Sequence, residues 1–119
     1  MDALTVIDRF NAAFGKHDVD AVMALMTADC VFENTAPPDG RRYTGQAEVR
    51  GAWEELFAGS PGAVFDAEEV VALGERVVVR WVYRWGDDDS ADQNAHVRGI
   101  DLFRVEGDLV AEKLSYVKG

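Results

Sequence analysis

Between residues 95 and 117 the chain alternates between apolar and polar side chains on either side of one turn signal, Glu106-Gly107-Asp108. Two such runs around a glycine predict a long β-hairpin, with Gly107 supplying the positive φ of a tight turn. Alternation puts Val97, Gly99, Asp101, Phe103 and Val105 on one face of the first arm. Asp101 is therefore an acid on an otherwise apolar or small-residue face. The same parity groups Val110, Glu112, Leu114 and Tyr116 on the second arm, with Glu112 as a second acid. If both sets face inward, the ribbon carries one or two carboxyls into an apolar recess.

The first half of the chain has a different period. Leu4, Ile7, Phe10 and Phe14 recur at helical spacing over residues 3–14, with Asp2 as N-cap and Gly15 as the stop. Asp18 caps a second helix on which Val22, Leu25 and Met26 face one way. A short strand follows over 30–34, then a loop over 35–44 around Pro37-Pro38-Asp39-Gly40. Gly45 leads into a third helix, 46–58, with Val49, Ala52, Trp53, Leu56 and Phe57 on one stripe. Strands over 64–73 and 77–85 meet at Gly74-Glu75, and an acidic loop spans 86–94.

Helices first and turn-linked strands afterwards predict an α+β fold. We expect a single domain over residues 1–119: a cone-shaped, curved antiparallel sheet with three helices from the N-terminal half packed on its concave face. On the strand 77–85, Val77, Val79, Trp81, Tyr83 and Trp85 share one face; Val78, Arg80, Val82 and Arg84 share the other. Neither face is cleanly polar. That predicts a homodimer packed through the sheet, and leaves open which face lines the recess.

Charge and composition narrow the function classes. The formal net charge is −10, which argues against nucleic acid and against anionic membrane surfaces as partners. Hydrophobic residues make up 48% of the chain, enough for a core without staples. The lone cysteine, Cys30, sits in an apolar stretch and reads as a core residue. With no leader-like or membrane-length apolar run, a cytoplasmic location is the default expectation. The two histidines, His17 and His96, have no metal-ligand spacing, and the run Asp87-Asp88-Asp89-Ser90-Ala91-Asp92 lacks the central Gly and terminal Glu of a calcium loop. No metal or organic cofactor is implied.

Residues 15–34, then Tyr43-Thr44-Gly45 before the Trp53 helix, then residues 99–105 before Gly107, resemble the nuclear transport factor 2-like superfamily. That superfamily includes the SnoaL-like polyketide cyclases and the ketosteroid isomerases. The resemblance implies a cavity fold whose members run several reactions, so it speaks to the fold more than to the chemistry. It places Asp101 where the isomerases keep a protonated aspartic acid that donates to an oxyanion. Asn34 falls at the position of their general base, and an amide takes no proton at neutral pH. Phe10 falls at the position of their oxyanion tyrosine, and a phenyl ring cannot donate. A strict ketosteroid isomerase is therefore disfavoured. Leu114 falls where the epoxide hydrolases carry an aspartate, which disfavours that branch too.

The candidate acid–base groups are Asp101 and Glu112. The bland reading of Asp101 is an ion pair with Arg80 or Arg84, and that of Glu112 a rim or cross-strand charge. Asn34 is read either as a donor to a ligand carbonyl or as a strand-end cap. The candidate ligand-binding wall comprises Phe10, Phe14, Tyr43, Trp53 and Phe57 from the first half of the chain. Trp81, Tyr83, Phe103, Leu114 and Tyr116 complete it from the second half, although such stripes are also ordinary core. The expected ligand is a small apolar, carbonyl-bearing molecule, and the expected chemistry is isomerisation, cyclisation or dehydration. The alternative is a non-catalytic ligand-binding or scaffold protein.

Overall fold

The computed structural model describes residues 1–85 and 95–119, so the acidic run 87–92 lies outside the described residues. Three helices come from the first half: α1 (Ala3–Gly15), α2 (Val19–Ala24) and α3 (Gln46–Gly59). The Asp2 carboxylate accepts from the Thr5 amide at 2.8 Å and the Asp18 carboxylate from the Ala21 amide at 3.1 Å, so both acids cap as expected. The second helix ends at Ala24, one residue before Leu25, and Met26 already belongs to a strand. α3 is tied down by the Gln46 amide, which donates to the carbonyls of Met26 at 3.1 Å and Thr27 at 2.9 Å.

Six strands form one sheet: β1 (Met26–Glu33), β2 (Arg42–Thr44), β3 (Val64–Leu73), β4 (Arg76–Arg84), β5 (His96–Glu106) and β6 (Leu109–Val117). Their order is β2-β1-β6-β5-β4-β3, antiparallel except for the parallel pair β1–β6. The short strand β2 falls inside the stretch expected to be loop. It forms because Tyr43 pairs with Phe32 across the ladder and their rings stack at 5.8 Å. Gly74 and Gly107, both at positive φ, turn the two hairpins. No described helix is long and apolar enough to cross a membrane.

The core lies between the helices and the concave face of the sheet. Val6, Ile7 and Phe10 of α1, Val49 and Trp53 of α3, Val77 and Val79 of β4, and Phe103 of β5 are all fully buried. This settles the parity question for β4. The face carrying Val77, Val79, Trp81 and Tyr83 looks inward, whereas Arg80 and Arg84 lie outside in ion pairs with Glu69 and Asp66.

Two local features of the sheet set what the site looks like. β5 pairs with β6 regularly from Gly99↔Val117 to Arg104↔Glu112, then the register shifts, with Val105 opposite Val110. Ala111 is the extra residue of a β-bulge, and a bulge resets strand parity. Gly99 is the second feature. A Cβ there would overlap the Tyr116 carbonyl oxygen and come within 2.6 Å of the Trp81 ring. We expect Gly99→Ala to destabilise the protein by about 1–3 kcal/mol through overpacking, because backbone and a wall tryptophan must both move. Urea denaturation midpoints at constant m-value would report it.

Candidate functional site

A recess of about 370 Å³ opens between α1, α3 and the curved sheet. Phe14 and Phe65 line it, with Trp81 and Tyr83 from β4, Phe32 from β1 and Tyr43 from β2. Asn34 and Thr35 border it from the end of β1, and Glu55 and Leu56 from α3. Six aromatic rings thus contribute to the wall, in keeping with small-molecule sites.

Three polar side chains meet in the recess: Asp101, Lys113 and Ser115. β5 delivers Asp101, which is only 1% exposed. Ser115 sits directly across the ladder from it, and Lys113 is one inward-facing position further along β6. The Ser115 hydroxyl donates to Asp101 Oδ1 at 2.7 Å, and Lys113 Nζ donates to Ser115 Oγ at 3.0 Å. Lys113 Nζ also lies 3.4 Å from Asp101 Oδ2. That contact is an ion pair without hydrogen-bond alignment, so Oδ2 has no hydrogen-bond donor of its own. The ammonium is roofed by the rings of Phe32, Phe14 and Trp53, whose centroids are 4.9, 5.2 and 5.3 Å away.

Burial pushes the Lys113 ammonium below the usual lysine range, and the Asp101 charge opposes that shift. The sign of the stability effect follows. Between the lowered native value and the ordinary 10.5, the unfolded chain holds more protons than the native one. Stability gains a contribution that rises with pH across that window. Cys30 works the other way, since burial raises its thiol above 9.0 and the unfolded chain ionises first. An arginine at 113 cannot deprotonate in this range. We therefore expect the stability difference between the native protein and Lys113→Arg to grow as pH rises toward 10.5, as urea midpoints measured at several pH values would show.

The placement of the other expected site residues is mixed. Phe14, Asn34, Tyr43, Trp81, Tyr83 and Asp101 border the recess. Asn34 also caps the following loop, its side-chain oxygen accepting from the amides of Ala36 at 3.0 Å and Arg41 at 2.7 Å. Phe10, Phe57 and Phe103 are core residues instead, and Trp53, also buried and absent from the lining, meets the site only through the Lys113 ammonium. Phe10 packs edge-on against Phe103 at 5.4 Å, which leaves neither ring free for a ligand.

Glu112, Leu114 and Tyr116 are on the wrong side of β6. The bulge at Ala111 shifts inward parity to Lys113 and Ser115. Glu112 instead pairs with Arg76 at 2.7 Å, and Tyr116 is 51% exposed on the outer face. The counter-charge for Asp101 is accordingly Lys113, not Arg80 or Arg84. The missed signal was the apolar pair Val110-Ala111, two consecutive buried residues that break simple alternation. Among the described residues, no group of three or more His, Cys, Asp or Glu side chains comes together as a metal site.

Residues 7–113 match the family model for the SnoaL-like domain. The chain belongs to the SnoaL-like domain family, within the nuclear transport factor 2-like superfamily. This SnoaL-like domain is similar in structure to an NTF2-like protein of unknown function from Mesorhizobium loti, at 39% identity and a TM-score of 0.81, covering 98% of this chain and 91% of that one. It also resembles a protein with a ketosteroid isomerase-like fold from Catenulispora acidiphila, solved in complex with trimethylamine. There the identity is 19% and the TM-score 0.78, with 93% and 83% of the two chains covered. A cystatin-fold protein from Novosphingobium aromaticivorans aligns at 21% identity and a TM-score of 0.80 over 97% of each chain. Among curated proteins, none matches the chain.

Proposed function

We propose that this SnoaL-like domain binds a small, largely apolar carbonyl compound in the recess and moves a proton next to its carbonyl group through Asp101. The observation that carries this reading is the Asp101 carboxyl itself. It is 1% exposed, sits in an aromatic recess, and keeps one oxygen, Oδ2, without a hydrogen-bond donor. Oδ2 meets only the Lys113 ammonium, at 3.4 Å and off the hydrogen-bond axis, beside the space a ligand would fill. The Trp81 indole N–H belongs to a wall residue and is also buried without a partner, which fits a ligand acceptor such as a carbonyl oxygen. The reaction class is isomerisation, cyclisation or dehydration by acid–base chemistry.

The test is exchange of the α-hydrogens of 2-tetralone for deuterium in D2O, followed by proton NMR. Exchange well above the buffer rate, lost in Asp101→Asn and kept in Glu112→Gln, is the expected result. Glu112 is the control because it faces away from the recess. A second reading, binding without turnover, is favoured by the counter-charge that Lys113 already gives Asp101. Under that reading, 2-tetralone quenches tryptophan fluorescence but its α-hydrogens exchange no faster than in buffer.

We further propose that the domain self-associates through the outer sheet face. That face exposes Ile100 and its cross-strand partner Tyr116 beside the Glu68–Arg98 and Glu68–Arg80 ion pairs. Light scattering on the native protein, with Ile100→Lys as the disrupting variant, tests it.

A further inference from the structure

We propose that Lys113 is an imine-forming nucleophile, condensing through Nζ with the aldehyde or ketone carbonyl of the molecule held in the recess. The inference deepens the carbonyl-ligand reading and rests on it. Its support is the placement of the amine. Lys113 borders the recess with a side chain only 7% exposed, and lysines are almost never buried this deeply without a task or a tight pairing. The pairing here is a single 3.4 Å contact to one Asp101 oxygen, bridged through the Ser115 hydroxyl. A residue selected only to neutralise Asp101 would be better served by an arginine fork, which cannot give up its proton. Lysine can, and the lowered proton affinity that burial imposes favours the free amine.

The step balances within the site. The ammonium passes one proton to Asp101, leaving a neutral amine and a neutral acid, a pair that an apolar surround accepts more readily than two charges. The Nζ lone pair attacks the carbonyl carbon, the C=O π bond breaks, and a proton shifts from nitrogen to oxygen to give the neutral carbinolamine. Asp101 then protonates the hydroxyl and the C–O bond breaks. Water leaves, and the iminium faces a carboxylate again. One ammonium, one carboxylate and one carbonyl thus become one iminium, one carboxylate and one water. The iminium cation lies where the ammonium lay, under Phe14, Phe32 and Trp53, whose ring faces favour positive charge. It draws electrons from the adjacent C–H bond, and Asp101 is placed to take that proton.

The experiment is reductive trapping. The native protein is incubated at pH 7 with 3-phenylpropanal and cyanoborohydride, and the adduct is located by peptide mass mapping. We expect modification of Lys113 at least tenfold faster than of Lys16 or Lys118, saturable in aldehyde and suppressed by excess 2-tetralone. Lys113→Arg, which keeps the cation, should lose the adduct at this position. The competition by 2-tetralone reads the native protein and so does not depend on that variant folding. If Lys113 stays unmodified while 2-tetralone still exchanges its α-hydrogens or quenches tryptophan fluorescence, the imine proposal is overturned and the carbonyl-ligand reading survives. If none of the three signals appears, both fall.

Discussion

Lys113→Met is expected to cost about 3–5 kcal/mol of stability, whereas the pair Asp101→Asn with Lys113→Met should recover most of it. The single change leaves the Asp101 carboxylate, 1% exposed, with no counter-charge in an aromatic surround. Only the Ser115 hydroxyl, at 2.7 Å, would remain to hold it. The double change removes both charges and keeps the side-chain volumes close, and the amide oxygen that Asp101→Asn introduces can still accept from the Ser115 hydroxyl. In a domain of this size the single variant should lose on the order of 10–20 °C in Tm. The measurement is a double-mutant cycle by urea denaturation: native, both single variants and the double. A coupling energy of a few kcal/mol is expected. Additive single effects would show that the two charges do not feel each other, and the site described above would lose its electrostatic basis.

That cycle turns on a residue the pattern of the sequence assigns to the wrong face. The architecture was legible because most of it is regular. Helical spacing in Phe10, Phe14 and Trp53, the glycines at 74 and 107, and unbroken alternation along β5 each report a local geometry directly. Asp101 was legible for the same reason, since β4–β5 pairing runs without a register shift from Arg84↔His96 to Arg76↔Arg104. Lys113 was hidden because alternation counts residues and a bulge adds one. Counting from Val110 gives Glu112, Leu114 and Tyr116; counting past Ala111 gives Lys113 and Ser115. The parallel pairing of β1 with β6 was hidden for another reason. It joins residues far apart in the chain, Val31 with Glu112 and Phe32 with Lys113, and no local pattern encodes that choice. Yet that pairing brings Phe32 over the Lys113 ammonium, so the part of the site that local patterns do not show is the part made by long-range topology.

Trp53 carries the second large effect, because it serves the core and the site at once. It is fully buried on α3, packs against Phe32 at 4.2 Å and Phe14 at 5.5 Å, and places its ring 5.3 Å from Lys113 Nζ. Trp53→Ala should cost about 3–5 kcal/mol, the loss of a large buried aromatic plus the void it leaves. Trp53→Phe should cost much less, since it keeps an aromatic face toward the ammonium and removes an indole N–H that is buried without a partner. The two variants also separate packing from electrostatics. The void in Trp53→Ala lies beside a charged amine and is therefore polar enough to hold water. Water at Lys113 relieves the burial that lowers its proton affinity, so the rise of stability with pH below 10.5 should flatten in Trp53→Ala and persist in Trp53→Phe. The urea midpoints of both variants, measured at several pH values against native protein, read the two quantities together. An unchanged pH slope in Trp53→Ala would mean that the void stays dry, and that the aromatic roof over Lys113 contributes packing alone.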